Sequence, residues 1–561
     1  MSQRIPTYEA LALQLKQLGI ECIFGLMSDE TAMLIACIDS VGIRFISTRH
    51  ENNAVAMAEG YACSSGRLGV ALIGRGPATA NGLHGTVYVR KTGSRVLLLL
   101  GASADGAANP NGFGPDNKAL DAAAVLSAAG VRVMTLHDPE IAPSILAHAA
   151  LRAQQGLQAL LLPTQVLSAT TPQDALVPPY PLRPATAPGA PRPSAIEAAV
   201  NTLKQAQRPL ILAGYGAHLA GARDAIIGLS DHIGAALSTT MKAKDLFRDH
   251  PFDCGVVGSF SHGAGRRLIG QADCIVVFGA GLNQRTSSQG TALPSEATLI
   301  QVDVSREALG RWWHCDIGIV GDARTVALAL SAGLAVRSEA DPPLRSEAMR
   351  QVLANYRPDL DFEAQHTPRT LDPRSVGVEL DRLLPRDRNV VYDAGNFLQC
   401  ATYVSVPGPA HFKQASDFSS IGMGFGTAMG FAHGDPLRPT VLFIGDGAFL
   451  MTLSELETVA REGIPLVVIV MNDCAYGAEL HYLKLRDMPI STTQFPDVDY
   501  APVAEAFGFQ AATVRTVDEL RALAPLLAKP EGPILIDCKI NGRSEEHTSE
   551  LQSRQYLVCR L

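Results

Sequence analysis

The stretch "TVLFIGDGAFLMTL", residues 440–453, holds Asp446 between two glycines directly after an apolar run. A second apolar run, "LVVIVM", covers residues 466–471 and leads into Asp473. Short apolar runs on either side of a helical pattern are typical of a βαβ unit, in which a helix joins two parallel strands. The stretch therefore predicts a parallel sheet with an acidic residue at the carboxyl end of each of two strands.

The residues between the two runs predict the connecting helix. Thr452 and Glu455 stand three positions apart, which is the spacing of a capping box. Gly463, followed by Pro465, predicts the end of the helix.

The two acids are expected to meet. Neighbouring parallel strands lie about 4.8 Å apart, so Asp446 and Asp473 converge on the crevice outside the strand ends, where open α/β sheets bind ligands. Two close carboxylates repel each other unless a cation lies between them, and oxygen ligands without cysteine or histidine favour Mg²⁺. The flanking glycines leave room for a diphosphate. The alternative is a pair of solvated loop acids.

The composition describes a globular protein of several domains. The chain has 561 residues, 47% of them hydrophobic and 18% charged, which predicts two to four domains. A net charge of −8 without a long basic run argues against a nucleic-acid partner, and the sequence contains no apolar stretch long enough to span a membrane. The ten cysteines are scattered and the first residues predict a helix rather than a signal peptide, so we expect a cytoplasmic protein.

Two polar segments divide the chain. Residues 171–194 are rich in proline and predict an extended linker, and residues 337–373 form a second linker with one helix. Each of the three resulting parts alternates short apolar runs with helical patterns, so the predicted fold is α/β with three doubly wound parallel-sheet domains. The predicted segments are 1–170, 171–194, 195–336, 337–373, 374–542 and 543–561.

The last segment has an unusual sequence. "RSEEHTSELQS", residues 543–553, can be back-translated into DNA that resembles a common short-read sequencing adapter. We therefore expect residues 543–561 to be a non-native tail and exclude them from the fold; the alternative is a genuine polar tail.

The motif resembles that of the thiamine-diphosphate enzymes of the acetolactate synthase, benzoylformate decarboxylase and pyruvate decarboxylase group. Their signature is GDG, about 27 residues, then an asparagine and a nearby backbone carbonyl, which together bind Mg²⁺ and the diphosphate. Here the interval from Asp446 to Asp473 is 27, with aspartate in place of the usual asparagine. The resemblance implies that Asp446, Asp473 and the carbonyl of Ala475 are the metal ligands and that the cofactors are thiamine diphosphate and Mg²⁺.

Other segments match the same family. "RHENNAVAMAEGYACSSG", residues 49–66, resembles its "RHE…MADGYAR" segment, and the resemblance implies that Glu51 hydrogen-bonds the aminopyrimidine ring and assists loss of the C2 proton. Glutamate is also an ordinary residue at a helix start. Ile421 lies 25 residues before Asp446, where the family has the bulky side chain that bends the cofactor; without that spacing it is a core isoleucine. The implied cofactor-binding residues are Glu51, Ile421, Met423, Gly445, Asp446, Gly447, Ala448, Asp473, Tyr476 and Gly477.

The resemblance also predicts the roles of the domains. The first would bind the pyrimidine, the Rossmann-like second would be central, and the third would bind the diphosphate. In the relatives the first domain of one subunit faces the third domain of another, which implies a homodimer or homotetramer with shared active sites. The glycine loop at 74–82 resembles the family's "TSGPGATN", with Arg75 in place of a small residue. The central domain lacks a convincing GxGxxG motif, so we expect no FAD.

The implied reaction is non-oxidative decarboxylation of a 2-oxo acid, carboligation to a 2-hydroxyketone, or both. The alternatives are cleavage of a C–C bond in a diketone or acyl-CoA and a catalytically silent cofactor-binding subunit. Asp29 and Glu479 match catalytic acids of pyruvate decarboxylase and would donate a proton if burial raised the pKa of one of them. His84 and His481 are further candidates for proton transfer. Outside these roles, Asp29 is a helix cap, Glu479 a surface acid and the histidines packed or exposed residues.

Overall fold

The computed structural model describes residues 3–103, 116–179, 189–337 and 343–542. It contains three six-stranded sheets, in each of which every neighbouring pair of strands is parallel. Helices cover the sheets, which confirms the predicted fold class. The proposed tail, residues 543–561, lies outside the described residues.

The first sheet has the strand order β3-β2-β4-β5-β7-β6. A separate two-stranded antiparallel ribbon pairs β1, at the start of this domain, with β8, at its end. The elements are β1 (Arg4–Pro6), α1 (Thr7–Gln17), β2 (Cys22–Gly25), α2 (Ala32–Ser40), β3 (Arg44–Ser47), α3 (Glu51–Ser65), β4 (Gly69–Ile73), α4 (Pro77–Thr92), β5 (Val96–Ala102), α5 (Ala122–Ala128), β6 (Arg132–Thr135), α6 (Ala142–Ala153), β7 (Gln158–Pro163), α7 (Thr164–Leu167) and β8 (Thr170–Pro172).

The second sheet has the order β11-β10-β9-β12-β13-β14. Helix α13 confirms the helix that was expected between residues 337 and 373. The elements are α8 (Pro193–Gln205), β9 (Pro209–Ala213), α9 (Tyr215–Leu219), α10 (Arg223–Ile233), β10 (Ala236–Thr239), β11 (Asp253–Val256), α11 (Gly263–Ile269), β12 (Cys274–Phe278), β13 (Thr298–Asp303), β14 (Ile317–Val320), α12 (Ala323–Ala332) and α13 (Glu347–Ala354).

The third sheet has the order β16-β15-β17-β18-β20-β19. The elements are α14 (Pro373–Leu383), β15 (Asn389–Asp393), β16 (Phe412–Ala415), α15 (Met423–Gly434), β17 (Thr440–Gly445), α16 (Asp446–Thr452), α17 (Glu455–Glu462), β18 (Leu466–Asn472), α18 (Gly477–Lys484), α19 (Ala501–Ala506), β19 (Gln510–Val514), α20 (Val517–Ala522), α21 (Ala524–Leu527) and β20 (Ile534–Lys539).

The start of the proline-rich segment 171–194 packs on the first sheet. Thr171 pairs with Ile5 in the ribbon, and the backbone N–H of Val177 donates to the side chain of Gln14 at 2.8 Å. At the other end of the segment, Pro193 occupies the first turn of α8, where its missing N–H costs no helical hydrogen bond.

Helices α3 and α15 join the first and third sheets through a glycine seam, made by Gly60, Gly426 and Gly430. A Cβ atom at Gly60 would lie 2.0 Å from the carbonyl oxygen of Thr427, and one at Gly430 would lie 2.0 Å from that of Met57. Along the two helices, Asn53, Met57 and Tyr61 of α3 lie beside Gly426, Gly430 and Gly434 of α15 in that order. The contacts therefore advance in the same direction, so α3 and α15 are parallel and their N-termini lie at the same end. Only glycine allows this close approach of two backbones.

A buried ion pair lies beside the glycine seam. Glu59 on α3 is fully buried and pairs with Lys413 on β16. Its carboxylate also accepts hydrogen bonds from Ser94 at 2.8 Å and Tyr88 at 3.3 Å. Because the charge of Glu59 is neutralised and its oxygens are bonded, the pair is compatible with a dry core that spans both domains.

The predicted capping box is wrong. Thr452 ends helix α16, where its hydroxyl donates to the carbonyl of Ala448 at 3.2 Å. Glu455 begins α17 and is fully buried; its carboxylate accepts from the backbone N–H of Arg49 at 3.0 Å and from the amide of Asn53 at 2.9 Å. The contact across domains replaces the local cap, and it fixes the start of α3 beside the third sheet.

We expect Gly430→Ala to destabilise the protein by about 1–3 kcal/mol or more, because the added methyl group meets backbone atoms that cannot move independently. Gly228→Ala is the matched control: Gly228 lies within α10 and nothing lies within 4 Å of its Cβ position. The control is expected to be neutral or slightly stabilising. Denaturant unfolding of both variants measures the difference, and equal stabilities would contradict the close packing of the seam.

Candidate active site

The βαβ unit of the GDG motif is formed as predicted. Strands β17 and β18 are parallel neighbours, with Gly445 paired to Met471. Asp446 is the first residue of α16 and Asp473 follows the end of β18. Both carboxylates therefore lie at the same edge of the third sheet.

The two carboxylates carry charge that the protein does not neutralise. Burial raises the pKa of Asp446 to about 6, and burial together with the charge of Asp446 raises the pKa of Asp473 to about 7. Within the described residues, neither carboxylate forms an ion pair with a lysine, arginine or histidine. Such a pair of acids fits a divalent cation, which would remove the repulsion between them.

Ala475 has a backbone carbonyl that suits the third ligand position. Its N–H donates to the Asp473 carboxylate at 3.2 Å. The adjacent hydrogen bonds, from Tyr476 N to the Thr493 carbonyl and from Phe495 N to the Cys474 carbonyl, do not use the carbonyl of Ala475. No donor among the described residues occupies that oxygen, so the donor set of two carboxylates and one carbonyl fits Mg²⁺.

Two glycines allow close packing of the backbone at the edge of the site. A Cβ atom at Gly477 would lie 2.6 Å from Oδ2 of Asp473, and one at Gly447 would lie 2.8 Å from the ring of Tyr476. Side chains at these positions would displace the acid or the ring. Ala448 is buried beneath them and the Tyr476 ring is largely exposed.

Asp393 is a site residue that the sequence reasoning did not single out. It lies at the end of β15, is fully buried, and accepts hydrogen bonds from the N–H groups of Gly422 at 2.7 Å and Gly424 at 3.1 Å. Burial raises its pKa to about 7. These bonds fix the turn that carries Ile421 and Met423 into α15. The signal in the sequence was an acid at the end of an apolar run, as at Asp446.

Glu51 is the first residue of α3 and is 7% exposed. Its Oε2 accepts a hydrogen bond from the side-chain amide of Asn81 at 3.2 Å. The helix cap is His50, whose ring nitrogen accepts from the backbone N–H of Asn52 at 3.1 Å, so the cap does not require Glu51. Because α3 and α15 are parallel, Glu51 lies at the same end of the helix pair as Met423.

Asp29 is not buried, although its role as a proton donor would require burial to raise its pKa. Its side chain is 79% exposed and pairs with Lys118. Its contact with Glu30 and a hydrogen bond from Lys118 lower the pKa of Asp29 well below its usual range, so the group is ionised. The condition for proton donation, that burial raises the pKa of one of the two acids, is therefore not met at Asp29 in the single chain, because a lysine neutralises the charge and water reaches it.

The other candidates for proton transfer occupy different environments. Glu479 is exposed on α18 in the single chain, which matches the alternative of a surface acid. His481 is buried in the same helix. His84 on α4 is partly buried, its ring centre is 6.0 Å from that of Phe418, and burial, with a smaller contribution from His50, lowers its pKa. His84, a residue of the first domain, thus contacts the third domain through Phe418.

Arg75 forms a charged network at the strand ends of the first sheet. Its guanidinium pairs with Glu30 at 3.0 Å and with Asp116 at 2.5 Å, and all three side chains are largely buried. Lys118 connects Glu30 to Asp29. The bulky Arg75 is therefore accommodated by two carboxylates, which explains how this chain replaces the small residue expected in the loop.

Three family descriptions match successive parts of the chain. Residues 6–125 match the N-terminal TPP-binding domain of thiamine pyrophosphate enzymes, residues 196–330 their central domain, and residues 393–538 their C-terminal TPP-binding domain. The chain therefore belongs to the thiamine-diphosphate-dependent enzyme family.

Relatives of different activity are similarly distant from this chain. It is 28% identical to a probable sulfoacetaldehyde acetyltransferase of Rhizobium meliloti over 94% of this chain and 91% of the relative. It is 27% identical to a probable 2-ketoarginine decarboxylase of Pseudomonas aeruginosa over 91% of this chain and 90% of the relative. It is 25% identical to a probable acetolactate synthase large subunit of Methanocaldococcus jannaschii over 95% of this chain and 91% of the relative.

We expect Asp446→Ala to abolish retention of the cofactor in the presence of Mg²⁺, because the variant loses a ligand at the end of β17. Asp473→Asn keeps an oxygen ligand and is expected to retain cofactor when metal and cofactor are both saturating. Gel filtration followed by measurement of bound thiamine diphosphate tests both variants. Loss of the cofactor from Asp473→Asn under these conditions would contradict the ligand assignment.

Proposed function

We propose that the chain is a Mg²⁺- and thiamine-diphosphate-dependent enzyme that decarboxylates a 2-oxo acid and then releases an aldehyde or joins the fragment to a second carbonyl compound. The observation that carries the proposal is the pair of unneutralised carboxylates at the ends of β17 and β18 in a chain that also presents Glu51 at the start of α3. The names of two relatives, a decarboxylase and a synthase, agree with this class of reaction, whereas that of the sulfoacetaldehyde acetyltransferase denotes transfer of an acetyl group.

The third domain would hold the diphosphate. Asp446, Asp473 and the Ala475 carbonyl would bind Mg²⁺, and the narrow space at Gly447 and Gly477 would admit the phosphate oxygens. When bound, the cofactor supplies an electron sink for the carbon that loses CO₂. The remaining residues that would line it are Ile421, Met423, Gly445, Ala448 and Tyr476.

Glu51 would exchange a proton with the aminopyrimidine ring of the cofactor. Its carboxyl group is buried, held by Asn81, and lies at the end of the α3–α15 pair that also carries Met423. A carboxyl group held in this way would donate a proton to the pyrimidine ring and take it back. This arrangement supports a catalytic role over a silent cofactor-binding subunit, which has no use for such a group.

The assembly would be a homodimer or homotetramer. Large apolar side chains are exposed around the strand ends of the third domain, on helices α16 and α18 and the loops beside them. Exposed apolar side chains on one face mark protein interfaces, and a second copy of this chain is the partner that symmetry favours. These side chains are Phe418, Leu450, Met451, Tyr476, Tyr482, Leu485, Met488 and Phe495.

We expect Glu51→Gln to retain the cofactor and to lose most turnover, about 10²-fold or more, because the amide cannot exchange the proton that general acid–base catalysis requires. Asn81→Ala is the companion variant, since it removes the hydrogen bond to Glu51 and leaves the carboxyl group, and it is expected to lose less activity. Isothermal titration with thiamine diphosphate and steady-state rates separate binding from chemistry. Full activity of Glu51→Gln would contradict the assignment.

The reaction itself is tested with a panel of 2-oxo acids, with and without acceptor aldehydes, in Mg²⁺ and thiamine diphosphate. We expect release of CO₂ from at least one acid, and the product, aldehyde or 2-hydroxyketone, distinguishes protonation from carboligation. Asp446→Ala is the inactive control. Cleavage of a 1,2-diketone or an acyl-CoA without decarboxylation of any 2-oxo acid would overturn the proposed substrate class.

A further inference from the structure

Asp473 is the departure of this chain from the metal-binding pattern that it resembles, in which asparagine stands at this position. The substitution adds one negative charge directly at the proposed ligand position. At the metal site of the proposed function, on which this inference rests, the extra charge would act on both the metal ion and the diphosphate.

The charged groups around Asp473 do not cancel its charge. Asp446, on α16, acts on Asp473 directly, and Asp537 and Lys539, on β20, act on Asp446. Lys539 is already engaged, because its ammonium lies 3.1 Å from Asp537, 2.9 Å from Asp497 and 3.3 Å from Asp499. The Asp446–Asp473 pair therefore keeps a formal charge of about −2 when both groups are ionised, which matches one divalent cation.

The same charge acts differently on the cation and on the diphosphate. A divalent cation binds more tightly when a second carboxylate is a ligand, because the two carboxylates alone balance its charge. A diphosphate brings more negative charge to the same cation and meets repulsion from Asp473. With asparagine, the protein ligands leave the cation more positive, so the metal alone binds less well and the diphosphate binds better.

We propose that Asp473 makes this chain bind its divalent metal ion before and independently of thiamine diphosphate, at the expense of affinity for the diphosphate. The substitution Asp473→Asn then has opposite effects on the two ligands. A residue that only supports the fold would weaken both.

The experiment uses the full chain, stripped of metal and cofactor by chelation and gel filtration, with Mn²⁺ as the probe. Binding of Mn²⁺ without cofactor is measured by electron paramagnetic resonance of the free ion. We expect about tenfold or greater weakening in Asp473→Asn and less than about twofold change in Asp499→Asn, since Asp499 is an acid on the same face that pairs with Lys539 and Arg515. Titration of thiamine diphosphate at saturating Mn²⁺ should show tighter binding to Asp473→Asn than to the parent.

A second measurement, the shift in Tm on addition of Mn²⁺, also applies to variants that are less stable than the parent. Mn²⁺ alone should raise the Tm of the parent more than that of Asp473→Asn, because a ligand stabilises the folded state in proportion to its binding. Equal Mn²⁺ affinity of parent and Asp473→Asn, no Mn²⁺ binding by the parent without cofactor, or weaker binding of both ligands would overturn the inference. Unchanged Mn²⁺ binding in Asp446→Ala would instead show that the proposed metal site is misplaced, which is a failure of the proposed function.

Discussion

The close contact of α3 with α15 is the constraint on which the rest of the structure depends. The backbones approach so closely that glycine is required at Gly60 and Gly430, and the helices are therefore locked in one relative position. Each helix begins at the carboxyl end of a strand in its own sheet. Locking the helices in parallel brings the functional edges of the first and third sheets to one end of the molecule, where Glu51 and Met423 lie.

The chemistry of the site depends on charge that the fold leaves unneutralised. Elsewhere in the chain, buried acids have partners: Glu59 has Lys413, and Glu455 has Asn53 and the backbone of Arg49. Asp446 and Asp473 have no such cation. What distinguishes these two acids is that each carboxylate lies within the field of the other, so the fold stores electrostatic repulsion at one point, and a bound cation would release it.

Much of the fold could be predicted from the sequence, because strands that are buried on both faces read as continuous apolar runs. The runs at β17 and β18 also placed Asp446 and Asp473 correctly, since parallel neighbours end at the same edge. Features that depend on the order of strands or on partners far away in the sequence could not be predicted. Asp393 binds a turn about 30 residues later only because β15 lies beside β17.

The partners of Glu455 and Asp29 also could not be predicted from the sequence. The sequence around Glu455 contained a plausible local cap, but contacts with Arg49 and Asn53, some 400 residues earlier, have greater stabilising effect because they satisfy a fully buried carboxylate. The match of Asp29 to a catalytic acid was visible in the sequence, whereas its exposure and its pairing with Lys118 were not. The charge state of a candidate acid therefore required the structure.

The core that α3 shares with α15 has a consequence for the synthesis of the chain. Helix α3 ends at Ser65 and α15 begins at Met423, so a ribosome that adds about 5–20 residues per second makes the second helix on the order of 20–70 s after the first. During that interval the face of α3 that packs on α15 is uncovered. The carboxylate of Glu59 lacks the cation that neutralises it, because Lys413 has not yet been made. The nascent first domain is thus exposed to aggregation until translation is nearly finished, and a chaperone that shields α3 would act during this interval.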